Sequence, residues 1–368
     1  MSLGPTPLDI FRAKGIPHRR MEDWKYTDLR GVLDAETIEH AGCIFSTIGA
    51  SKVEEVGVGR EAWAQWILDR LASLPGGGAM EAAARAFDLS GMAFRVPGGT
   101  QSAEIRADYQ SGGNSEIVVF VESGASLNLV ETHHVSDAKL RNVSMSIFLA
   151  EGAQLTHVRE AKFAGDLVSV ETISVLQEKG SVYRARFLNG GAKLSRTEVN
   201  ITLAGEGAEA DLSGVSVLGD KAHADITTRI VHAVPNTTSR QLFKKVAGGK
   251  SRVVYQGKVT VREDAIGSDS RQTAKALLLS DRAEADLKPE LEILADDVKC
   301  AHGAAVGDLD ADSLFYLRSR GIPETEARGL LIHAFLQEVV DGIEDEGLRG
   351  AAVEFIESGL AWAMESAS

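Results

Sequence analysis

The sequence predicts a mainly β chain, with a β-solenoid in its middle and helical segments at both ends. Three observations predict this. First, "VESGASLNLVE", "LAEGAQLTHVRE", "LQEKGSVYRARF" and "LAGEGAEADLSG" each set a glycine between two short strand-like runs. These glycines, Gly124, Gly152, Gly180 and Gly207, stand 28, 28 and 27 residues apart (152−124, 180−152, 207−180). Second, from about Phe94 onward valine, isoleucine, threonine and serine alternate with polar residues, and helix-length apolar stripes vanish. Third, those stripes are present before residue 94 and return after Gly307. One coil cannot bury its inward side chains alone, whereas stacked coils share a continuous core, so a fixed period favours a solenoid. A large antiparallel sandwich with evenly spaced hairpins would show the same spacing. The repeat blurs after Gly219, in "VPNTTSRQLFKKVAGGKSRVVYQGKV", where a change of strand direction or an inserted loop would reset the phase.

Residues 1–93 read as a mainly helical domain; the opening "MSLG" is set aside. In "REAWAQWILDRLASLPGGG" the residues Trp63, Trp66, Ile67, Leu71 and Leu74 fall near 3.6-residue spacing and share one face, before Pro75 and Gly76 to Gly78 end the helix. A second short helix covers "AMEAAARAF". Residues 94–306 form the β core, and 307–368 a C-terminal helical domain. There Asp308, Asp310 or Asp312 offers an N-cap, Gly321 fits the position after a helix end, and Pro323 opens the next helix. On that helix Ala327, Leu330, Leu331, Ala334, Phe335, Leu336, Val339 and Val340 cover more than one face, which implies contact on two sides. A last helix spans about Leu348 to Met364. The strand edges at a solenoid's ends must be capped or paired, so a cap or a partner is expected.

Composition narrows the function. With 39 basic against 53 acidic residues the net charge is −14, and no basic tract follows a phosphate backbone, so nucleic acid is not an expected partner. No apolar run is long and uncharged enough to span a bilayer, and no export signal is evident, so the cytoplasm is the expected location. Cys43 and Cys300 are the only cysteines, too few for a four-cysteine iron–sulfur site within the chain.

Familiar reactive patterns fail one by one. "AGGKS" at 247–251 has Lys244 where a phosphate loop needs its first glycine, and reads as a hairpin turn. "DLDADSLFYLRS" has Ser313 and Ser319 where a calcium loop needs glycine and glutamate, so its aspartates read as a helix start. His133 and His134 are neighbours on a strand and face opposite ways, one buried and one exposed. No GxSxG or HExxH pattern is present, and no catalytic residue is assigned. Cys300-Ala301-His302 remains: on an extended segment thiol and imidazole share a face, and both suit iron or zinc, although for such a pair taken alone structural packing is the better explanation.

Two segments together resemble the SufD family of iron–sulfur cluster assembly scaffolds. "RRMEDWKYTDLR" is similar to that family's N-terminal signature through Glu22, Trp24, Lys25, Tyr26 and Thr27. "KPELEILADDVKCAHGAAVGDLDADSLFYLRSRGIPETEARGLLIHAFLQEVVDGI" resembles the C-terminal block shared by SufB and SufD. SufB proteins carry additional clustered cysteines that are missing here, which favours SufD. The resemblance implies a right-handed parallel β-helix that pairs with a SufB-like chain, and a C-terminal helical domain that binds a SufC-like ABC ATPase. Leu314, Tyr316, Arg318, Arg320, Leu330 and Phe335 are the contact residues chosen from the amphipathic pattern. It also implies that His302, and less firmly Cys300, are ligands for a transient iron–sulfur cluster shared with the partner, with no cofactor held stably by this chain alone. The chain would then be a scaffold rather than an enzyme, and on its own could form a homodimer. The alternatives are a pectate-lyase-like solenoid enzyme and a stand-alone structural homodimer.

Overall fold

A computed structural model describes residues 5–41, 46–58, 65–74, 78–88, 91–135, 138–163, 165–343 and 345–367; Cys43, Trp63 and Pro75 to Gly77 lie outside them. Strands account for 45% of the chain and helices for 24%, which makes the fold mainly β. Two nine-stranded sheets face one another as the two walls of a parallel solenoid of about eight turns. The first wall holds β4 (Ala103–Tyr109), β6 (Ser126–His133), β8 (Gln154–Ala161), β10 (Val182–Asn189), β12 (Glu209–Leu218), β14 (Thr238–Ala247), β16 (Asp269–Leu278) and β18 (Lys299–Gly307). The second holds β3 (Met92–Val96), β5 (Gly113–Val121), β7 (Leu140–Leu149), β9 (Val168–Gln177), β11 (Leu194–Leu203), β13 (His223–His232), β15 (Arg252–Val261) and β17 (Glu284–Ile293).

The repeat glycines build one corner of every coil. Gly124, Gly152, Gly180 and Gly207 have φ of 65°, 68°, 63° and 73°, a left-handed conformation open chiefly to glycine. Each donates its N–H to the next coil, to the carbonyls of Glu151, Lys179, Glu206 and Asn236. The blurred repeat after Gly219 involves no change of strand direction. Asn236 (φ 56°) takes the glycine's place, Gly267 (φ 74°) follows, and every pairing from β13 to β18 stays parallel. "AGGKS" is likewise a coil corner and not a hairpin, because the strands on either side of it, β14 and β15, lie in different walls. A Cβ on Gly248 would fall 2.1 Å from the carbonyl oxygen of Ala363, so this corner is shaped to receive a helix.

Helices cover both outer faces. From the N-terminal part, α1 (Pro7–Lys14), α2 (Ala35–Glu39) and α4 (Ala79–Phe87) pack on Leu140, Val168, Val170 and Leu194 of the second wall. Ile67 and Leu71 of α3 (Gln65–Ser73), with Leu74 just beyond its end, cover Ala93, Val118 and Phe120. Trp66 departs from the expected buried face: it is 44% exposed, with its ring 4.6 Å from that of Phe120. This part also carries two strands absent from the helical reading, β1 (Ser46–Ser51) and β2 (Glu54–Val58), which run antiparallel to β4 and β3 and close the first coil. On the first wall, α6 (Glu324–Asp341) and α7 (Glu346–Ala367) bury Ile332, Leu336, Val339, Phe355 and Ile356 against Leu188, Val215, Val217 and Val246. Asp310 caps α5 (Ala311–Ser319) through Ser313 N–H, at 2.7 Å, and Gly321 follows that helix with φ 86°.

The segment 19–30 is a clasp. Trp24 lies buried beneath the Arg196 guanidinium, 4.0 Å from its ring centre, and Arg196 also donates to the Asp23 carbonyl. The hydroxyl of Thr27 donates to Asp225, and Glu22 pairs with Lys288. Four residues thereby fasten the N-terminal part to strands β11, β13 and β17.

Candidate functional site

The last coil is built differently from the rest. Each solenoid strand buries alternate residues inside; on β16 these are Ser270, Gln272, Ala274 and Ala276. Register carries that pattern onto β18, where Ser270 faces Cys300, Gln272 faces His302 and Ala274 faces Ala304. Cys300 and His302 therefore stand on the inner side of a coil that nothing covers among the described residues. Cys300 is half-buried against the core and His302 is exposed. Burial pushes the Cys300 thiol up, so in the uncovered chain it keeps its proton. Ile293, Leu294 and Val306 add exposed apolar surface around the same end.

Behind each of these two residues a file of polar side chains runs inward. Behind Cys300, Ser239 Oγ donates to Ser270 Oγ at 2.8 Å, and the His232 ring joins Ser239 Oγ at 2.9 Å and Thr237 Oγ1 at 2.8 Å. Burial lowers His232 to about 4, so the ring is neutral within this file. Behind His302 come Gln272 and then Gln241, whose Oε1 accepts from Thr228 at 2.6 Å and from Tyr255 at 3.1 Å. The Gln272 amide neighbours the Tyr255 hydroxyl, and its Oε1 has no hydrogen-bond partner among the described residues.

A second buried polar cluster lies near the closed end of the solenoid. The His157 ring joins Glu131 through Nε2 at 2.7 Å and the Tyr183 hydroxyl through Nδ1 at 3.0 Å. Arg141 and Arg159 both pair with Glu171, and Arg159 also donates to Asn189. Glu131, His133 and Glu171 bring ligand-type atoms within 4.8 Å of one another. Burial and the two guanidiniums drive His133 well below its ordinary value, so it is neutral. Two carboxylates already balanced by two guanidiniums leave little attraction for a further cation, and this cluster is best described as a charge-neutral internal brace. Sequence reading misses it because its residues lie on separate coils; His133 buried beside an exposed His134 is the one part it foresees.

On the outside, the residues chosen for partner contact gather on α5 and α6. Tyr316 is 56% exposed, with Arg320 stacked over its ring at 5.2 Å; Arg318 pairs with Glu324 at 3.2 Å. Leu314 is half-buried and Leu330 exposed. Phe335 sits half-buried under the Lys244 ammonium, 4.9 Å from its ring centre. The pattern missed Phe315, which at 74% is the most exposed large apolar side chain among the described residues. Helix α5 buries none of its own residues.

Fold and site together define a parallel β-helix protein with one closed end, one open end bearing a thiol and an imidazole, and an uncovered helical face. Comparison with known proteins gives the family. Residues 105–335 match the family model described as "SUF system FeS cluster assembly, SufBD core domain", and the chain belongs to this family of iron–sulfur cluster assembly proteins. A SufBD family iron–sulfur cluster assembly protein of Synechocystis is 34% identical over 244 residues, covering 64% of this chain and 54% of that protein. The iron–sulfur cluster assembly protein SufD of Escherichia coli is 36% identical over 231 residues, covering 61% and 54%. A chloroplastic protein of Arabidopsis thaliana is 32% identical over 243 residues, covering 65% and 51%. The chain thus spans about half the length of the curated relatives it matches. Among the described residues no helix is long and apolar enough to cross a membrane.

Proposed function

We propose that this chain is a non-catalytic scaffold subunit that pairs with a SufB-like chain through its open coil, binds a SufC-like ABC ATPase through α5 and α6, and helps hold a nascent iron–sulfur cluster. The observation that carries this reading is the unpaired β18 edge with His302 and Cys300 on its inner side. A partner strand laid on that edge would cover both residues and bring its own ligands to them. One imidazole, or an imidazole and a thiolate, completed from a second chain makes a site that releases its cluster more readily than four cysteines of one chain would. The exposed Phe315, Tyr316 and Leu330 support the ATPase contact, since large apolar groups clustered at a surface mark a docking face. Movement of the bound ATPase would then be transmitted through α6 and α7, which lie on the first wall.

His302→Ala tests the cluster role, with the variant co-expressed with SufB-like and SufC-like chains. The complex is expected to assemble at its normal size, with cluster absorbance reduced to background. A normal cluster yield would remove His302 from the site, and a chain that ignores both partners would remove the scaffold role.

A further inference from the structure

We propose that Gln272 is a positioning residue for His302: its side-chain amide, one coil inward, accepts the ring N–H that a cluster-binding imidazole does not use, and so fixes which nitrogen faces the open edge. The inference rests on the reading of His302 given above and extends it by one residue.

Three observations support it. Register places Gln272 directly beside His302 on the adjacent strand, about 4.8 Å away and on the same inner face. Gln272 is 1% exposed, and while its amide nitrogen lies toward the Tyr255 hydroxyl, its Oε1 has no hydrogen-bond partner among the described residues, although a buried amide oxygen ordinarily finds one. The amide also lies over a glycine: a Cβ on Gly257 would fall 2.1 Å from Gln272 Nε2 and 2.4 Å from the Tyr255 hydroxyl, so any other residue there would displace the amide from this place. The other glutamine of the file, Gln241, cannot take the role, because its oxygen already accepts from Thr228 and Tyr255. A histidine that binds metal through one ring nitrogen holds its orientation by donating the other N–H to a nearby acceptor. Gln272 Oε1 is the uncommitted acceptor next to His302 in this register.

The test reads the His302 tautomer in the full chain with 15N-labelled histidine, at a pH of about 8.5, where an ordinary imidazole is neutral. His302→Gln assigns the signal. The parent chain is expected to hold one tautomer in excess. Gln272→Met, of similar volume but without an acceptor, should return the ring to the free-imidazole mixture, and Gln272→Glu should restore the excess. If the methionine variant does not fold, Gln272→Asn, whose amide is withdrawn by one methylene, should show the same loss. Ser239→Ala, in the neighbouring file, should leave the signal unchanged. Identical ring shifts in parent and Gln272 variants, or an equal change in Ser239→Ala, would overturn the proposal. In the assembled complex Gln272→Met should lower cluster retention about tenfold. The tautomer is read without cluster or partner, so the two ideas fail separately. An unchanged tautomer removes the positioning role alone, whereas a full cluster yield in His302→Ala removes the cluster role alone.

Discussion

The two ends of this solenoid share a register and differ in every other respect. At the first coil β1 lies antiparallel on β4, from Ser46 opposite Tyr109 to Ser51 opposite Glu104, and β2 covers β3, so the chain closes both walls itself. At the last coil β17 and β18 have no such cover among the described residues. One inward row shows the contrast: it begins at Tyr109, 1% exposed, and ends at Val306, 48% exposed. Bare edges invite uncontrolled pairing, and the two open edges are treated differently. In β17 the N–H groups of Glu284 and Leu294 point back to β15, so those of odd-numbered residues point outward, and Pro289 has none to offer. In β18 the N–H of Lys299 points back to β16, so Cys300, His302 and Ala304 present theirs to the open side. One edge is blunted by proline, and the other, which carries the candidate ligands, is left able to pair.

The largest effect that would sharpen this contrast is in the core. Phe243 is fully buried in mid-solenoid and Val306 half-exposed at the open end. Phe243→Ala should cost about 3–5 kcal/mol of stability, because it leaves a cavity between stacked coils. Val306→Ala should cost less than about 1 kcal/mol, since it uncovers little that was dry. Denaturant unfolding of both variants checks the pair; equal losses would mean that the last coil is packed like the others.

Next comes a test of how far water enters from the open end. Lys245 lies in the same row as Tyr109 and Val306, fully buried, with the Ser216 hydroxyl as its hydrogen-bond acceptor at 3.2 Å. Burial lowers its amine from 10.5 to about 7. Between those values the unfolded chain binds the proton and the folded chain does not, so stability should rise with pH from about 7 toward 10.5 and be lost as pH falls back. The slope is at most roughly 1.4 kcal/mol per pH unit. Lys245→Met should remove it. A slope that survives the substitution would assign it to another group, and a parent chain without any slope would mean that water reaches this row.

Much of this architecture is legible in the residues because it is local. The turn glycines announce a left-handed corner every 27 or 28 residues, Asp310 and Gly321 bracket α5, and alternation places His133 inward and His134 outward. What stays hidden depends on residues meeting across coils. Asn236 tolerates the conformation that its glycine neighbours adopt, and so conceals a coil that continues unbroken. The strands β1 and β2 are short, and their function is to close an edge that exists only once the solenoid has formed. Glu131, Arg141, Arg159 and Glu171 meet only through stacking. The same holds at the open end. "KCAHG" shows that thiol and imidazole share a face, but the neighbours behind them, Ser270 and Gln272, come from a strand 30 residues earlier (300−270, 302−272). The clasp teaches the converse: Trp24 and Thr27, which help to carry the family resemblance, are buried in structural contacts far from the open edge in sequence and in role.

The smallest expected effect bears most directly on the edges. Ala304→Pro would give β18 what Pro289 gives β17, the loss of one outward N–H with no loss of pairing to β16. Folding should be nearly unchanged, because the bond removed is one the isolated chain does not make, and proline is tolerated on an edge strand. Association with a partner through this edge should weaken by about tenfold, since one interchain hydrogen bond is lost and the ring stands where the incoming strand must lie, together worth about 1.4 kcal/mol. Sizing and titration of the variant against a SufB-like chain measure this. A proline that leaves affinity intact would mean that the partner approaches by another surface, and that the difference between the two open edges serves only to prevent aggregation.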